Sequence, residues 1–424
     1  MISNRTGFLL LASTLMLACG DDTQGLGGQA AEGGAEPSAG QPPLGGSQPM
    51  GGASGDGGTG GAPVGICAAG DGQCVFRHDT FGDEQFWTDA LRLNELAQTL
   101  SPTQALGVGL KVDATAVPPE VLAAADLTDP ATTVALLDLD AVVGLRATVE
   151  DGEVTRIGIT CALCHSTVDD SVMPGVGERL DGWPNRDLDP GLIISLTPGL
   201  PAYAESKGLD PAAAIATYAS WGPGYYDARF NIDGQSAPVR IPPAYGFVEV
   251  ALATYTGEGP ISYWNAYVAV TQMGAQGNFV DAALGIDITH TPDMVTSKLP
   301  ELAAYQHSLA APAPPPGSFD QDAADRGALT FASSCVSCHS GASFTDAPTL
   351  HTPSEVGQDP VEANRSKTGA YRTTPLRGVW QRAPYFHDGS AATLEAVVTH
   401  YDDELTLALS EAEKADLVQF LLSL

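Results

Sequence analysis

Five residues near the C-terminal end carry the most explicit chemistry in the chain: Cys335-Val336-Ser337-Cys338-His339. In a C-x-x-C-H segment the two thiols can each add to one vinyl group of a haem. The histidine that follows places its imidazole beneath the iron as proximal ligand. The pattern recurs at Cys161-Ala162-Leu163-Cys164-His165. Other chemistry is open to these residue types, since a C-x-x-C pair can be a redox dithiol or half of a zinc site. A thioredoxin-type dithiol needs a β–α–β setting that neither copy has, and zinc would not require histidine directly after each pair. The pattern therefore points to two covalent haem c groups, on Cys161, Cys164, Cys335 and Cys338, with His165 and His339 as iron ligands.

Three further cysteines have a different use. Arg5 and the apolar run 8–17 read as an export signal too short for a stable membrane span. It ends in Leu15-Met16-Leu17-Ala18-Cys19, similar to a bacterial lipobox, in which Cys19 becomes lipidated and N-terminal after cleavage. Cleavage before an unmodified cysteine is the alternative. Residues 20–64 are rich in Gly, Ala, Pro, Ser and Gln and cannot form a core. As a flexible tether they would reach roughly 35–40 Å. Cys67 and Cys74 flank a short Gly-rich turn and form a natural disulfide pair in an exported protein. The expected location is thus the periplasmic side or cell surface, held to a bacterial membrane only by a lipid anchor.

Acidic residues number 51 against 19 Lys and Arg, a net charge of −32. Such a surface repels phosphate backbones, which argues against nucleic-acid binding. It suits a cationic partner, or is simply a solvated acidic surface.

The elements that must position the haem segments are legible in outline. Residues 83–100 read as one amphipathic helix, and shorter helices fit 119–125 and 131–137. Residues 149–160 suit a small hairpin running into the first C-x-x-C-H. Asp210-Pro211 starts a helix to Trp221, with Asp as cap and Pro at the first helical position. Residues 263–273 and 293–309 also suit helices, the second interrupted at Pro300. A Pro-rich stretch, 310–317, separates an N-terminal haem domain (65–310) from a C-terminal one (311–424). There, 320–333 delivers the second haem segment. Gly327 and Phe331 lie on one face of it, a pair that allows close helix crossing. Ser410 and Glu413 form a capping box for a closing helix with Leu417, Phe420, Leu421 and Leu424 on its apolar stripe. A helix before C-x-x-C-H crossed by a closing helix resembles class I cytochrome c. The expected fold is mainly α: two such domains, each with one haem c, and long irregular loops.

Arg377-Gly378-Val379, Ala383-Pro384-Tyr385-Phe386-His387-Asp388-Gly389-Ser390 and Thr393-Leu394-Glu395 resemble the C-terminal signature of the bacterial di-haem cytochrome c peroxidase/MauG superfamily. The resemblance is specific over 320–424, weaker over 157–309, and not visible before that. Trp221-Gly222-Pro223-Gly224 and Ile241-Pro242-Pro243 are similar to stretches in the larger di-haem rubber oxygenases. The superfamily resemblance implies that the C-terminal haem passes electrons and the N-terminal haem binds and reduces hydrogen peroxide. It also implies calcium between the haems, partly on backbone carbonyls of 382–384, with no side-chain ligand identified.

The sixth iron ligands follow from the same resemblance. No methionine occurs after Met294, so the C-terminal haem cannot take one from its own domain. Where peroxidases of the superfamily place that methionine, fourteen positions after His387, this chain has Tyr401, as the MauG branch does. Tyrosine is a hard anionic ligand that favours ferric iron. His400, His387, or an open or other position are the alternatives. For the N-terminal haem the candidates are Met173, Met273, Met294, His290 and His307, or a vacant position. Gly259-Pro260-Ile261 resembles the stretch beside the peroxidases' distal acid–base glutamate, and Glu258 is the nearest carboxyl. Tyr245 or Phe247 lies where those enzymes carry a tryptophan between the haems.

The functional expectation is an exported di-haem oxidoreductase using hydrogen peroxide, supplied with electrons by a small cytochrome or copper protein. The alternatives are a non-enzymatic electron-transfer lipoprotein, or a di-haem oxygenase acting on an organic substrate.

Overall fold

Glycine and proline, which interrupt regular elements, are frequent along the chain, at 48 and 31 residues. The computed structural model describes residues 67–424, in which the longest helix is Gln321–Ser334 and the sheets are all two-stranded. The expected signal, lipidated Cys19 and tether lie outside the described residues. None of the described helices is long and apolar enough to cross a membrane.

The larger of two apolar cores draws on residues from Val75 to Leu302. Cys67 and Cys74 form a disulfide at its start. Asp71 caps the adjoining helix Gly72–His78 by accepting from the Cys74 N–H at 2.9 Å. That helix packs on Leu299–Ser308 so closely that a Cβ on Gly72 would meet the Glu301 carbonyl. The hairpin Leu145–Glu150/Glu153–Ile159 turns at Asp151-Gly152, both at positive φ, a pairing typical of tight hairpin turns.

Several expected elements differ. Residues 83–100 are not one helix: a π-turn, Gln85–Ala90, and a left-handed Arg92 (φ 59°) precede Leu93–Thr99. Tertiary bonds override the helical periodicity. Trp87 Nε1 donates to the Met273 carbonyl at 2.9 Å, and the Thr88 hydroxyl exchanges two 2.8 Å bonds with Ile157 of the hairpin. Pro300 does not interrupt a helix but lies in the first turn of Leu299–Ser308, where its missing N–H costs nothing. Residues 263–273 divide into Ile261–Val268 and a π-turn, Ala269–Met273. The N-terminal half also departs from class I cytochrome c, because a strand, Glu153–Ile159, and not a helix leads into its C-x-x-C-H.

The smaller core gathers Phe331, Val379, Leu394, Val398, Leu417, Val418, Leu421 and Leu424. Helix Gln321–Ser334 is capped by Asp320, which accepts from the Ala323 N–H at 2.9 Å. It crosses Glu411–Leu422, whose Ser410–Glu413 capping box is complete. At the crossing a Cβ on Gly327 would lie 2.0 Å from the Asp416 carbonyl oxygen, and the Phe331 and Phe420 rings meet at 4.9 Å. This half has the helix order of a class I cytochrome c domain.

The halves are joined by backbone and ionic ties. The Arg240 N–H donates to the His387 carbonyl at 2.7 Å, and the Arg372 N–H to the Tyr255 carbonyl at 2.9 Å. Arg365 pairs with Asp227 at 2.9 Å and Asp233 at 2.7 Å, all three from separate turns of chain.

Candidate functional site: two cysteine-lined cavities

Each C-x-x-C-H segment opens onto its own apolar cavity. The second segment follows directly from helix Gln321–Ser334, the Cys335 N–H bonding to the Phe331 carbonyl and the His339 N–H to the Cys335 carbonyl, both at 2.9 Å. Cys335, Cys338 and His339 line a cavity of about 290 Å³ with Phe331, Val398 and Leu421. The His339 Nδ1 sits 3.0 Å from the Phe344 carbonyl. That carbonyl can only accept, so Nδ1 carries the proton and Nε2 keeps the lone pair that would bind iron. Burial also lowers the His339 pKa, which keeps the ring neutral.

The first segment repeats the device with different parts. Cys161, Cys164 and His165 line a cavity of about 230 Å³, and His165 Nδ1 lies 3.0 Å from the Pro242 carbonyl. Burial lowers His165 to about 4, with the Pro242 carbonyl opposing. Burial likewise pushes the Cys161 and Cys164 thiols up to about 12 and Cys335 to about 11, so none is a reactive dithiol thiolate. The two cysteine pairs line separate cavities rather than one four-thiol site. Among the described residues the one grouping with three metal-ligating side chains is Cys338, Asp346 and His351. It draws on a single pair, and His351 is already bonded to Asp346 at 3.0 Å.

Tyr401, on helix Leu394–Leu405, faces the C-terminal cavity. Burial, and then the charges of Cys338 and Cys335, push its phenol up to about 12. His400 does not line the cavity, and its Nε2 is engaged by the Val356 carbonyl at 3.0 Å and Gln358 at 3.2 Å. His387 does line it, but its Nε2 is bonded to the Tyr371 hydroxyl at 3.1 Å, which itself donates to the Asp359 carbonyl. Of the three candidates, Tyr401 has the uncommitted donor atom.

Of the five ligand candidates for the N-terminal cavity, only Met273 lines it. His290 and His307 are exposed, the latter with Nδ1 bonded to the Phe247 carbonyl. Met173 bridges to Val176, and Met294 lies against Gly82. Glu258, the expected acid–base group, is placed elsewhere. Its carboxylate pairs with Arg229 at 2.5 Å and accepts from the Lys367 N–H at 3.0 Å, and it lines neither cavity. A carboxylate so committed has no free face to offer a reactant. Gln272, Asn265 and Gln306 supply amides to the cavity instead, Glu362 is the carboxyl on its wall, and the Trp264 indole N–H there has no partner.

The cavities share a wall. Pro242, Pro243, Phe247, Thr254, Tyr255 and Arg372 line both. Phe247 lies on the wall between the cavities, whereas Tyr245 lines only the C-terminal cavity and meets Trp183 at 6.5 Å. The Ile241-Pro242-Pro243 stretch is both the divider and the source of the carbonyl that orients His165.

A haem needs thiols, an axial donor, an apolar slot and cationic partners for two propionates. The first three are here, and guanidinium nitrogens of Arg186, Arg372 and Arg382 that have no hydrogen-bond partner line the C-terminal cavity. No spacing in the sequence announces these arginines, but their scarcity in so acidic a chain is a usable signal. Calcium does not fit the same ground. Arg382 donates to the Pro375 and Arg377 carbonyls, and the charged neighbours acting on Arg186 and Arg372 are arginines and tyrosines, not carboxylates.

Residues 370–403 match the family model described as RoxA-like, cytochrome c-like. The chain is similar to methylamine utilization protein MauG of Methylophilus methylotrophus, 29% identical over 157 residues, covering 29% of this chain and 45% of that protein. It is also 32% identical over 111 residues to MauG of Methylorubrum extorquens, covering 22% of this chain and 31% of that one. The matched stretches thus span less than half of either relative's length. Among solved structures, Kuenenia stuttgartiensis hydrazine synthase aligns with TM-score 0.32 and 19% identity, over 44% of this chain and 73% of that one. A MauG-like protein associated with microbial copper homeostasis aligns with TM-score 0.31 and 18% identity, over 45% and 74%. Scores this low say nothing further about the fold.

The C-terminal helix order and haem-attachment segment define a cytochrome c-like protein. These partial matches support a relation of the chain to MauG-like c-type cytochromes.

Proposed function

We propose that this chain is an exported di-haem c-type oxidoreductase that carries out peroxide-dependent oxidation, with two domains that each hold one haem c. The observation that carries the reading is the paired geometry. Each cysteine pair and its histidine open onto an apolar cavity, each histidine keeps Nε2 free by bonding through Nδ1, and the cavities share one wall. Haem bound at each segment would supply redox iron, with hydrogen peroxide as oxidant at the N-terminal cavity and electrons exchanged through the C-terminal one.

The chain's own residues set the limits of that chemistry. Pro242 and Phe344 hold the His165 and His339 imidazoles in the tautomer whose Nε2 would be free to bind iron. Phe247 and Tyr255 place aromatic rings on the wall that the two cavities share. Gln272 and the mutually bonded Asn265 and Gln306 cannot transfer a proton, and Glu362, the carboxyl on the N-terminal cavity wall, is paired with Arg229 at 3.1 Å rather than free like a distal acid–base glutamate. This favours oxidation of a partner over rapid peroxide removal. Tyr401 in place of methionine favours ferric iron at the C-terminal cavity. The Cys67–Cys74 disulfide suits an oxidising compartment, in keeping with export and a lipid anchor at Cys19. The acidic surface suits a cationic electron donor, such as a small cytochrome.

Met273 on the N-terminal cavity wall supports a second reading, an electron carrier with His165 and Met273 on one iron. Electron paramagnetic resonance of the oxidised holoprotein separates the two. A high-spin ferric signal altered by hydrogen peroxide is expected. Two low-spin signals that peroxide leaves unchanged, even after partial reduction, would leave only the carrier.

A further inference from the structure

Four arginines meet where the two cavities adjoin. Arg240 comes from strand Val239–Arg240, Arg372 from Tyr371–Arg372, and Arg186 and Arg382 from loops. Arg186, Arg372 and Arg382 line the C-terminal cavity, Arg372 lines both, and Arg240 stands behind them over the Tyr225 ring at 4.5 Å. Each has at least one buried nitrogen without a hydrogen-bond partner: Nε and Nη1 of Arg186, Nε of Arg240, Nη1 of Arg372 and Nε of Arg382. The Thr254 hydroxyl, on the shared wall, is unpartnered too.

None of the four is in an ion pair among the described residues, although the chain has 51 acidic residues and 19 basic ones. The same fold treats other buried arginines differently. Arg229 is given Glu258 and Glu362, and Arg365 is given Asp227 and Asp233. A buried cation without a counter-charge is strongly unfavourable, so such a cluster calls for an anion that arrives later. Burial, and then the neighbouring guanidiniums, lower Arg186 to about 10 and Arg372 to about 9, the direction expected of cations awaiting a partner. The Trp221-Gly222-Pro223-Gly224 stretch supports the cluster: a Cβ on Gly224 would lie 2.7 Å from both the Arg186 carbonyl and Arg240 Nη1.

We propose that Arg186, Arg372 and Arg382 are the carboxylate clamp for the haem propionates, with Arg372 shared between the two haems, and that this clamp stands where a bridging divalent cation would otherwise be needed. The clamp rests on the di-haem reading. Guanidinium forks match carboxylates in pairs, and a cation beside a propionate offsets the charge that destabilises the reduced, less positive iron.

The test is a redox titration of the full-length holoprotein followed in the visible spectrum, with haem content measured on the same samples. Arg372→Gln should lower both midpoint potentials by a tenfold or greater change in the ferric/ferrous equilibrium, about 59 mV for one electron. Arg186→Gln should lower one of them, and Arg372→Lys should recover most of the loss. A calcium chelator, and separately added phosphate, should leave both potentials of the unmutated protein unchanged. These two additions need no variant to fold. Unmoved potentials in an Arg372→Gln protein that holds two haems would overturn the clamp. So would a shift with chelator, which restores the divalent cation, or a saturable shift with phosphate, which makes the cluster a site for free anions. Fewer than two haems per unmutated chain would instead sink the di-haem reading itself.

Discussion

Pro242 and Phe344 lie far apart in sequence, yet their carbonyls do the same work, each accepting the Nδ1–H hydrogen bond of a C-x-x-C-H histidine. At this scale two of the candidate C-terminal ligands, His400 and Tyr401, are neighbours on one helix. Tyr401 turns to the cavity, while His400 turns away to Val356 and Gln358. Tyr401→Phe should therefore change the ferric electron paramagnetic resonance spectrum of the C-terminal haem, and His400→Ala should leave it as it is. A reversed outcome would transfer the role to His400. Asp83 is a separate case. Its carboxyl is buried in the larger core beneath the Ile159 N–H, with one oxygen unpartnered, and burial, then the Glu84 charge, raise its pKa well above the usual carboxylate value. The folded state then holds a proton that the unfolded state loses near pH 4, so stability falls as pH rises from there through the folded pKa. Asp83→Asn should remove that slope and raise stability at pH 7 by roughly 1–3 kcal/mol, seen in urea melts at several pH values.

At the scale of elements, the crossing of Gln321–Ser334 with Glu411–Leu422 is the device that aims Cys335, Cys338 and His339 into their cavity. It depends on Gly327, because any side chain there would strike the Asp416 carbonyl backbone. Gly327→Val should cost about 1–3 kcal/mol by overpacking and lower haem retention at the second segment only. Thermal melting and haem content on the same sample would show whether the two losses go together. This crossing was legible in the sequence, as Gly327 and Phe331 on one face and a capping box at Ser410–Glu413. The break at Arg92 was not. Residues 83–100 have helical periodicity, and only the distant partners Met273 and Ile157 reveal why the helix stops.

Across the whole molecule, buried ion pairs hold the two halves at the spacing the shared wall requires. Arg365, from the C-terminal half, is nearly inaccessible and carries Asp227 and Asp233 of the N-terminal half. Arg365→Ala would leave two carboxylates without their cation and should cost about 3–5 kcal/mol. On the proposed di-haem reading it should also slow electron exchange between the two centres, measurable by stopped-flow reduction. Unchanged stability would mean that the halves are held by the backbone ties at Arg240 and Arg372 alone.

The sequence by itself determined the chemistry that is local. Two C-x-x-C-H segments, the Cys67–Cys74 pair, the capped C-terminal helices and the Asp151-Gly152 turn are all set by residues a few positions apart, whose geometry is nearly independent of the rest of the chain. The tertiary structure decided everything that depends on who arrives from afar. Glu258 sits beside a promising motif, but Arg229, remote in the chain, claims its carboxylate. The wall between the cavities and its arginines come from segments between residues 186 and 382, and no periodicity or spacing links them. Charge pairing in a low-dielectric interior is decided by distance in space, and that distance exists only once the chain has folded.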